Sequence, residues 1–437
     1  MAAEAENELI ERRRRLLGPA YRLFYDNPVH LVRGEGVWLY DADGRKYLDM
    51  YNNVPHVGHC HRHVVDAVSE QLATLNTHTR YLHDKVLEYA ERLTATLPDE
   101  LGIAMFSCTG SEANELALRI ARACSGGTGI IVVDNAYHGN THALAQVSTS
   151  YESDEGKPVF VETVPPPDTF RGEHQDDDAG EKYAALINSA IESLRANGVQ
   201  PAAFMIDTIV SSNGILDVPS EYLRKAAEII RTAGGLFIAD EVQPGFGRTG
   251  EHFWGFQKDG FVPDIVTMGK PIGNGHPLAA TVTRADLIEE FAEKTQYFNT
   301  FGGNPVSAAA GIAVLDVTQN EHLQQNALSV GAYLVDGLRK LGGRHEIIGD
   351  IRGSGLFLGV DLVTDRDSRQ PASAEAKALT NDLRNNGILT NTIGKHANIL
   401  KLRPPTVFST ANADQFLDVF TECIDRVIDV GCSPKID

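Results

Sequence analysis

The sequence predicts an α/β protein, a mostly parallel sheet covered by helices, joined to a smaller α+β unit assembled from both ends of the chain. Between about residues 103 and 283, short apolar runs alternate with longer amphipathic stretches, the rhythm of strands and crossover helices. Residues 1–60 and 311–437 lack that rhythm and mix hairpin signals with helical ones. The 437 residues suffice for two or three domains at about 150 residues each.

In chain order, Arg12 to Arg15 precede Leu16 and Leu17 and read as a solvated helical arm, since no long apolar stretch follows them. Trp38–Tyr47 reads as a hairpin with Asp43-Gly44 at its turn. Strands are expected at Ile103–Phe106, Gly129–Val133, Ala202–Ile206, Leu236–Ala239, Ile265–Met268 and Leu278–Val282. Ser111–Arg122 places Ala113, Leu116, Ala117, Ile120 and Ala121 on one helical face. A second crossover helix is expected to start from a Ser220 cap and stop at Gly234 and Gly235. The irregular stretch Tyr151–Asp178 reads as a long surface excursion. Gly353–Gly359 lacks the register of a dinucleotide loop and reads as a tightly packed strand of the small domain. The implied division is an N-terminal arm with part of the small domain at 1–60, a large domain at 61–310, and the rest of the small domain at 311–437.

Composition narrows the function. Hydrophobic residues at 42% and charged residues at 22% are the balance of a globular protein. A formal charge of −20 repels nucleic acids and anionic membranes, so any phosphate ligand must be held by a local cluster of donors. Cysteines at 60, 108, 124, 423 and 432 are odd in number and share no CxxC spacing, which fits a reducing, cytoplasmic compartment.

The chemistry concentrates at two strand ends. Leu236-Phe-Ile-Ala-Asp240 delivers a carboxylate to the edge where open α/β sheets bind ligands. After the next apolar strand, Lys270 sits in Met268-Gly-Lys-Pro-Ile-Gly-Asn-Gly275, among glycines that let a ligand approach the backbone. A lone lysine in such a turn is ordinarily a solvated charge. An acid and a lysine at consecutive strand ends are the minimum apparatus for pyridoxal phosphate: Lys270 as the Schiff-base residue, Asp240 as partner of the ring nitrogen. Cys108-Thr-Gly-Ser-Glu-Ala-Asn114 runs from a strand into a helix, so the amides of Gly110 and Ser111 would face an anion. The bland alternative is a capping box of Thr109 and Glu112 with no ligand at all.

These residues belong to longer motifs. Cys108-Thr-Gly-Ser-Glu-Ala-Asn-Glu-Leu-Ala-Leu-Arg-Ile-Ala-Arg122, Ala136-Tyr-His-Gly139, Ala239-Asp-Glu-Val-Gln-Pro-Gly-Phe-Gly-Arg-Thr-Gly250, Met268–Gly275 and Thr300-Phe-Gly-Gly-Asn-Pro305 resemble the class III aminotransferase family in order and spacing. The resemblance implies a fold type I homodimer with a mostly parallel seven-stranded sheet. It also implies that Tyr137 stacks on the cofactor ring, Gln243 meets its phenolic oxygen, and Gly110 and Ser111 hold its phosphate. His138 and Asp207 join these cofactor contacts, and Thr300 reaches the phosphate of the neighbouring subunit. Within the family, Tyr51–His61, Leu75–His83, Pro165-Pro-Pro-Asp-Thr-Phe-Arg-Gly172 and Phe261–Lys270 are similar to the ethanolamine-phosphate and phosphohydroxylysine phospho-lyases. That likeness implies elimination of phosphate from a small phosphorylated amine. One departure is Asp207, in Met205-Ile-Asp-Thr-Ile-Val-Ser-Ser-Asn-Gly214, where the wider family carries a glutamate.

Elimination needs cations for the leaving phosphate. Candidates are Arg80, and Lys401 with Arg403, which share one face of a strand at period two. Arg403 also suits a substrate carboxylate, which keeps an aminotransferase open as the alternative activity. Asn53 is a candidate neutral donor, and His56 a candidate substrate contact. His56, His59, His61 and His63 with Cys60 invite a metal, but alternating histidines point to opposite faces of a strand and no second cluster completes four ligands. No metal is expected.

Overall fold

The computed structural model describes residues 2–151 and 156–431. Cys432 lies outside the described residues. The central sheet has seven strands in the spatial order Ile103–Ser107, Ala279–Thr283, Ile265–Met268, Leu236–Asp240, Pro201–Asp207, Gly129–Val133 and Val161–Val164. The last five run parallel, whereas Ala279–Thr283 is antiparallel to both its neighbours. Every residue of Pro201–Asp207, Gly129–Val133 and Ile265–Met268 is buried, as expected of parallel strands covered on both faces. The six strands expected from the sequence are all present, and no end moves by more than one residue.

Three expectations need correction. Val161–Val164, the seventh strand, lies inside the stretch read as a surface excursion. It is a four-residue edge strand whose middle residues, Glu162 and Thr163, are only partly buried, so it carries no apolar run. The helix Tyr222–Thr232 is not capped by Ser220, because Glu221 adopts a left-handed backbone (φ 72°) and turns the chain away. Asp259 serves instead, accepting the Leu223 N–H at 3.0 Å. Gly353–Gly359 is a hairpin rather than one strand, with Ile348–Ser354 and Phe357–Asp365 meeting at Gly355. A Cβ on Gly355 would lie 2.5 Å from the Arg248 carbonyl oxygen, and its φ is +57°, so glycine is required there.

The two ends of the chain share a sheet. Trp38–Asp41 and Lys46–Asp49 form the expected hairpin around Gly44 (φ 81°), and Leu48 and Asp49 pair in parallel with Ile388 and Leu389. Leu48 and Met50 pack in one core with Leu334, Leu358, Leu400 and Phe416. The division expected at 310/311 falls inside the helix Pro305–Asn320, whose start is set by Asn304 accepting the Ser307 N–H at 2.9 Å.

The Pro165–Gly172 segment ties the seven-stranded sheet to a third, five-stranded sheet that contains Phe357–Asp365. Nη1 and Nη2 of Arg171 both donate to Asp361, Nη2 at 2.6 Å, and Asp361 also accepts Arg352 Nη2 at 3.0 Å and Asn398 Nδ2 at 2.7 Å. Asn398 opens the stretch that carries Lys401. Among the described residues no helix is long and apolar enough to cross a membrane.

Candidate active site

Strand register sets the site. Asp207 pairs with Asp240 and Asp240 with Thr267, so three neighbouring strands end at one level, with Lys270 just beyond. A cavity of about 310 Å³ opens there. Gly110, Ser111, Tyr137, His138, Asp207, Asp240, Gln243 and Lys270 all line it. Thr300 does not, and it faces solvent in the turn before Pro305.

Asp240 is held chiefly through one oxygen. Its Oδ2 accepts Asn114 Nδ2 at 2.9 Å and His138 Nδ1 at 2.8 Å, while Oδ1 accepts the Val242 N–H at 3.1 Å and has capacity for another donor. Asn114 is fixed in turn, accepting Thr267 Oγ1 and donating to the His138 carbonyl. With Nδ1 donating to the carboxylate, His138 is left with a buried Nε2 that has no partner.

Lys270 is chemically prepared. Burial, then the nearby Arg403 charge, lowers its pKa to about 8, against the opposing pull of Asp240 and Asp207. A substantial fraction of the amine is therefore neutral, the nucleophilic form, near physiological pH.

The turn expected to cradle a phosphate lies at the cavity. The helix Gly110–Ser125 has its N-terminus at the cavity, held by the Thr109–Glu112 capping box. A Cβ on Gly110 would come within 2.9 Å of Val242 Cγ1, so the bare backbone is what the packing admits. Ser111 Oγ accepts the Asn140 N–H at 3.2 Å and keeps its own proton to donate. Tyr137 flanks the cavity, edge-on to Tyr151 at 5.5 Å. A nucleophilic lysine, a carboxylate with an oxygen free for a further donor and a helix N-terminus around one cavity fit pyridoxal phosphate.

Two cations converge on Gln243, whose side chain lines the cavity. Gln243 Nε2 donates to Ser211 Oγ at 2.7 Å, and Gln243 Oε1 accepts both Lys401 Nζ, at 3.0 Å, and Arg403 Nη1. Lys401 is 4% exposed and Arg403 7% exposed, and among the described residues neither pairs with a carboxylate. Asp207 does not reach them: its oxygens take Ser211 Oγ and the N–H groups of Ile209 and Ser211. Burial, reinforced by Asp240, raises the pKa of Asp207; burial lowers those of Lys401 and Arg403.

Other expected substrate residues lie apart. Arg80 is exposed, its guanidinium 3.9 Å from the Phe298 ring centroid. His56 is fully buried, edge-on to Phe246 and 3.4 Å from Arg248 Nη2, and it does not line the cavity. Burial and that guanidinium push its pKa well below the usual value, so it serves as a neutral partner for Arg248. Asn53 is buried beside Val54, which does line the cavity, and its amide atoms have no partner. His59 pairs with Asp49, His61 with Glu321 and His63 with Asp316, three separate acids. Sequence reasoning gave no role to Asn114, Ser211 or Thr267. The one available signal was Asn114 itself, a polar residue beside the apolar stripe of its helix.

Known proteins resemble this chain over nearly its whole length. The family described as aminotransferase class-III matches residues 23–424. The chain is 41% identical to the Drosophila melanogaster protein "Alanine--glyoxylate aminotransferase 2-like", over 97% of this chain and 88% of that one. It is 40% identical to the Caenorhabditis elegans "Ethanolamine-phosphate phospho-lyase homolog 1", over 97% and 94%. Among solved structures, a phospholyase from Arthrobacter in complex with phosphoethanolamine superposes with a TM-score of 0.92 at 45% identity, covering 95% of this chain and 99% of that one. A match that spans all three sheets and the whole cavity leaves one conclusion: this chain belongs to the aminotransferase class-III family.

Proposed function

We propose that this enzyme is a phospho-lyase that eliminates phosphate from O-phosphoethanolamine, or a related phospho-amine, to give the aldehyde, ammonia and inorganic phosphate. The observation that carries the reading is the pair Lys401 and Arg403, both buried and both donating to Gln243, which lines the cavity with Lys270 and Asp240, and neither paired with a carboxylate among the described residues. Two desolvated cations in want of an anion suit a phosphate dianion better than a single carboxylate. The likeness to a phospholyase bound to phosphoethanolamine supports the same substrate class.

Pyridoxal phosphate is the cofactor, and when bound it supplies a ring that accepts the electron pair left as an amine loses its α-proton. Lys270 would hold it through Nζ, and the N-terminus of Gly110–Ser125 would hold its phosphate. Asp240, steadied by Asn114 and His138, keeps a proton at the ring nitrogen. Lys270 takes the α-proton of the substrate. Arg403 and Lys401 hold the substrate phosphate and stabilise the charge that collects on it as the C–O bond breaks. The exposed Thr300, among exposed Phe298 and Phe301, is assigned to the neighbouring active site of a homodimer. The cytoplasmic placement rests on the cysteines, of which Cys60, Cys108, Cys124 and Cys423 are free thiols.

Arg403 supports one second reading, an aminotransferase, because a guanidinium there also accepts a substrate carboxylate. The experiment that separates them is incubation of the cofactor-loaded enzyme with O-phosphoethanolamine and no keto acid. Inorganic phosphate and acetaldehyde should accumulate together. Neither product, alongside turnover once a keto acid is added, establishes the aminotransferase.

A further inference from the structure

The phospho-lyase reading, on which this inference rests, leaves one proton unassigned. Expulsion of phosphate breaks the Cβ–O bond and sends its electron pair to the ester oxygen. A phosphate monoester is largely a dianion at neutral pH, its second pKa being about 6. Without a proton it would depart as the trianion, a strong base and a poor leaving group. A proton delivered to the bridging oxygen lets it leave as hydrogenphosphate dianion.

Few groups at the cavity can supply that proton. Arg403 holds its own too tightly, since a guanidinium is not deprotonated in proteins. Lys270 is engaged with the α-proton. His56 lies behind Arg248 and away from the cavity. Lys401 remains. Its Nζ donates to Gln243 Oε1 at 3.0 Å, sharing that acceptor with Arg403, and no acidic side chain claims its other protons.

We infer that Lys401 is the general acid of the elimination, protonating the bridging oxygen as phosphate leaves. The Nζ–H bond breaks with its electron pair remaining on nitrogen, the O–H bond forms, and the Cβ–O bond cleaves. Lys401 regains its proton from water once phosphate has gone. Its surroundings favour the transfer: burial, then the charges of Arg403 and Lys270, loosen the ammonium's hold on its protons, opposed by Asp207. The other neighbour is the Phe357 ring, with its centroid 5.5 Å from Nζ.

The test compares two leaving groups in Lys401→Arg, which keeps the charge but cannot release a proton. O-Phosphoethanolamine needs a proton on its leaving group, whereas ethanolamine O-sulfate, losing the anion of a strong acid, does not. The ratio of phosphate-ester to sulfate-ester elimination rates should drop by about 100-fold or more in the variant, the scale of a lost general acid. Inorganic phosphate titrated calorimetrically into the loaded variant should bind about as it does to the wild type. An unchanged ratio overturns the assignment, as does loss of phosphate binding together with both activities, which would make Lys401 a charge anchor only. Should the variant fail to fold, wild-type pH profiles serve. The phosphate ester alone should show a fall in rate at alkaline pH as Lys401 loses its proton, and coincident profiles for both esters would refute the role. Wild-type enzyme that releases no phosphate refutes the phospho-lyase reading itself, whatever Lys401 does.

Discussion

Replacing Lys270 by methionine in the cofactor-free protein should stabilise it, and the gain should depend on pH in a defined sense. Folding buries the amine and lowers its pKa from 10.5 to about 8. Between those values the unfolded chain binds more protons than the folded one, so wild-type stability rises with pH across that window. Below about pH 8 the buried amine carries charge and the whole penalty applies. At about 1.4 kcal/mol per pH unit it amounts to roughly 3 kcal/mol. Above 10.5 the amine is neutral in both states and the penalty vanishes. Methionine matches the length of the stem and never carries the charge, so the variant escapes the penalty at every pH. Urea denaturation of both proteins, followed through the fluorescence of the buried Trp254, reads the difference. The gap in favour of the variant should be widest near neutral pH and shrink toward about pH 10, because every other titrating group is common to both proteins. A gap that stays flat, or widens with pH, would refute the argument that desolvation sets the state of this amine.

The remaining predictions concern residues around Lys270. Asn114→Leu removes one of the two side-chain donors on Asp240 Oδ2; kcat should fall by about 10- to 100-fold, the worth of a hydrogen bond to a charged group, in steady-state assays. Gly110→Ala should weaken cofactor binding by about 10-fold or more through overpacking against Val242, and Val242→Ala in the same chain should recover part of the loss in a titration followed by visible absorbance. Arg171→Met should cost about 3 kcal/mol in urea denaturation by stripping a partner from the buried Asp361, and Asp361→Asn added to it should cost less than the two changes measured apart.

The range of each interaction decided whether it was legible in the sequence or hidden there. Asp240 and Lys270 could be found because each ends an apolar run, and a charge at the end of a buried strand has to point somewhere. The helix start at Gly110 was legible for the same local reason, its capping residues Thr109 and Glu112 lying three residues apart. Lys401 and Arg403 were paired by the period of a strand. Their meeting at Gln243 was not legible, since that contact spans about 160 positions and leaves no periodic trace. The departure at Asp207 becomes intelligible in three dimensions: the shorter carboxylate turns to Ser211 and leaves the two cations without an acid. His56 misled because a histidine in a motif signals chemistry, while its surroundings show a buried neutral ring beneath Arg248. Val161–Val164 went unseen because an edge strand with polar middle residues has no apolar signature, and its strand pairing was the only evidence for it.

The parallel pairing of Leu48 with Ile388 also sets a timetable for the ribosome. The N-terminal hairpin emerges early, but the strand that completes its edge is synthesised only near the end of translation. At about 5–20 residues per second, that edge waits on the order of 20 to 70 seconds with its N–H and C=O groups unpaired. Through this interval the nascent hairpin is a template for the wrong strand, whether from the same polysome or from another chain. Release of the C-terminus closes that window.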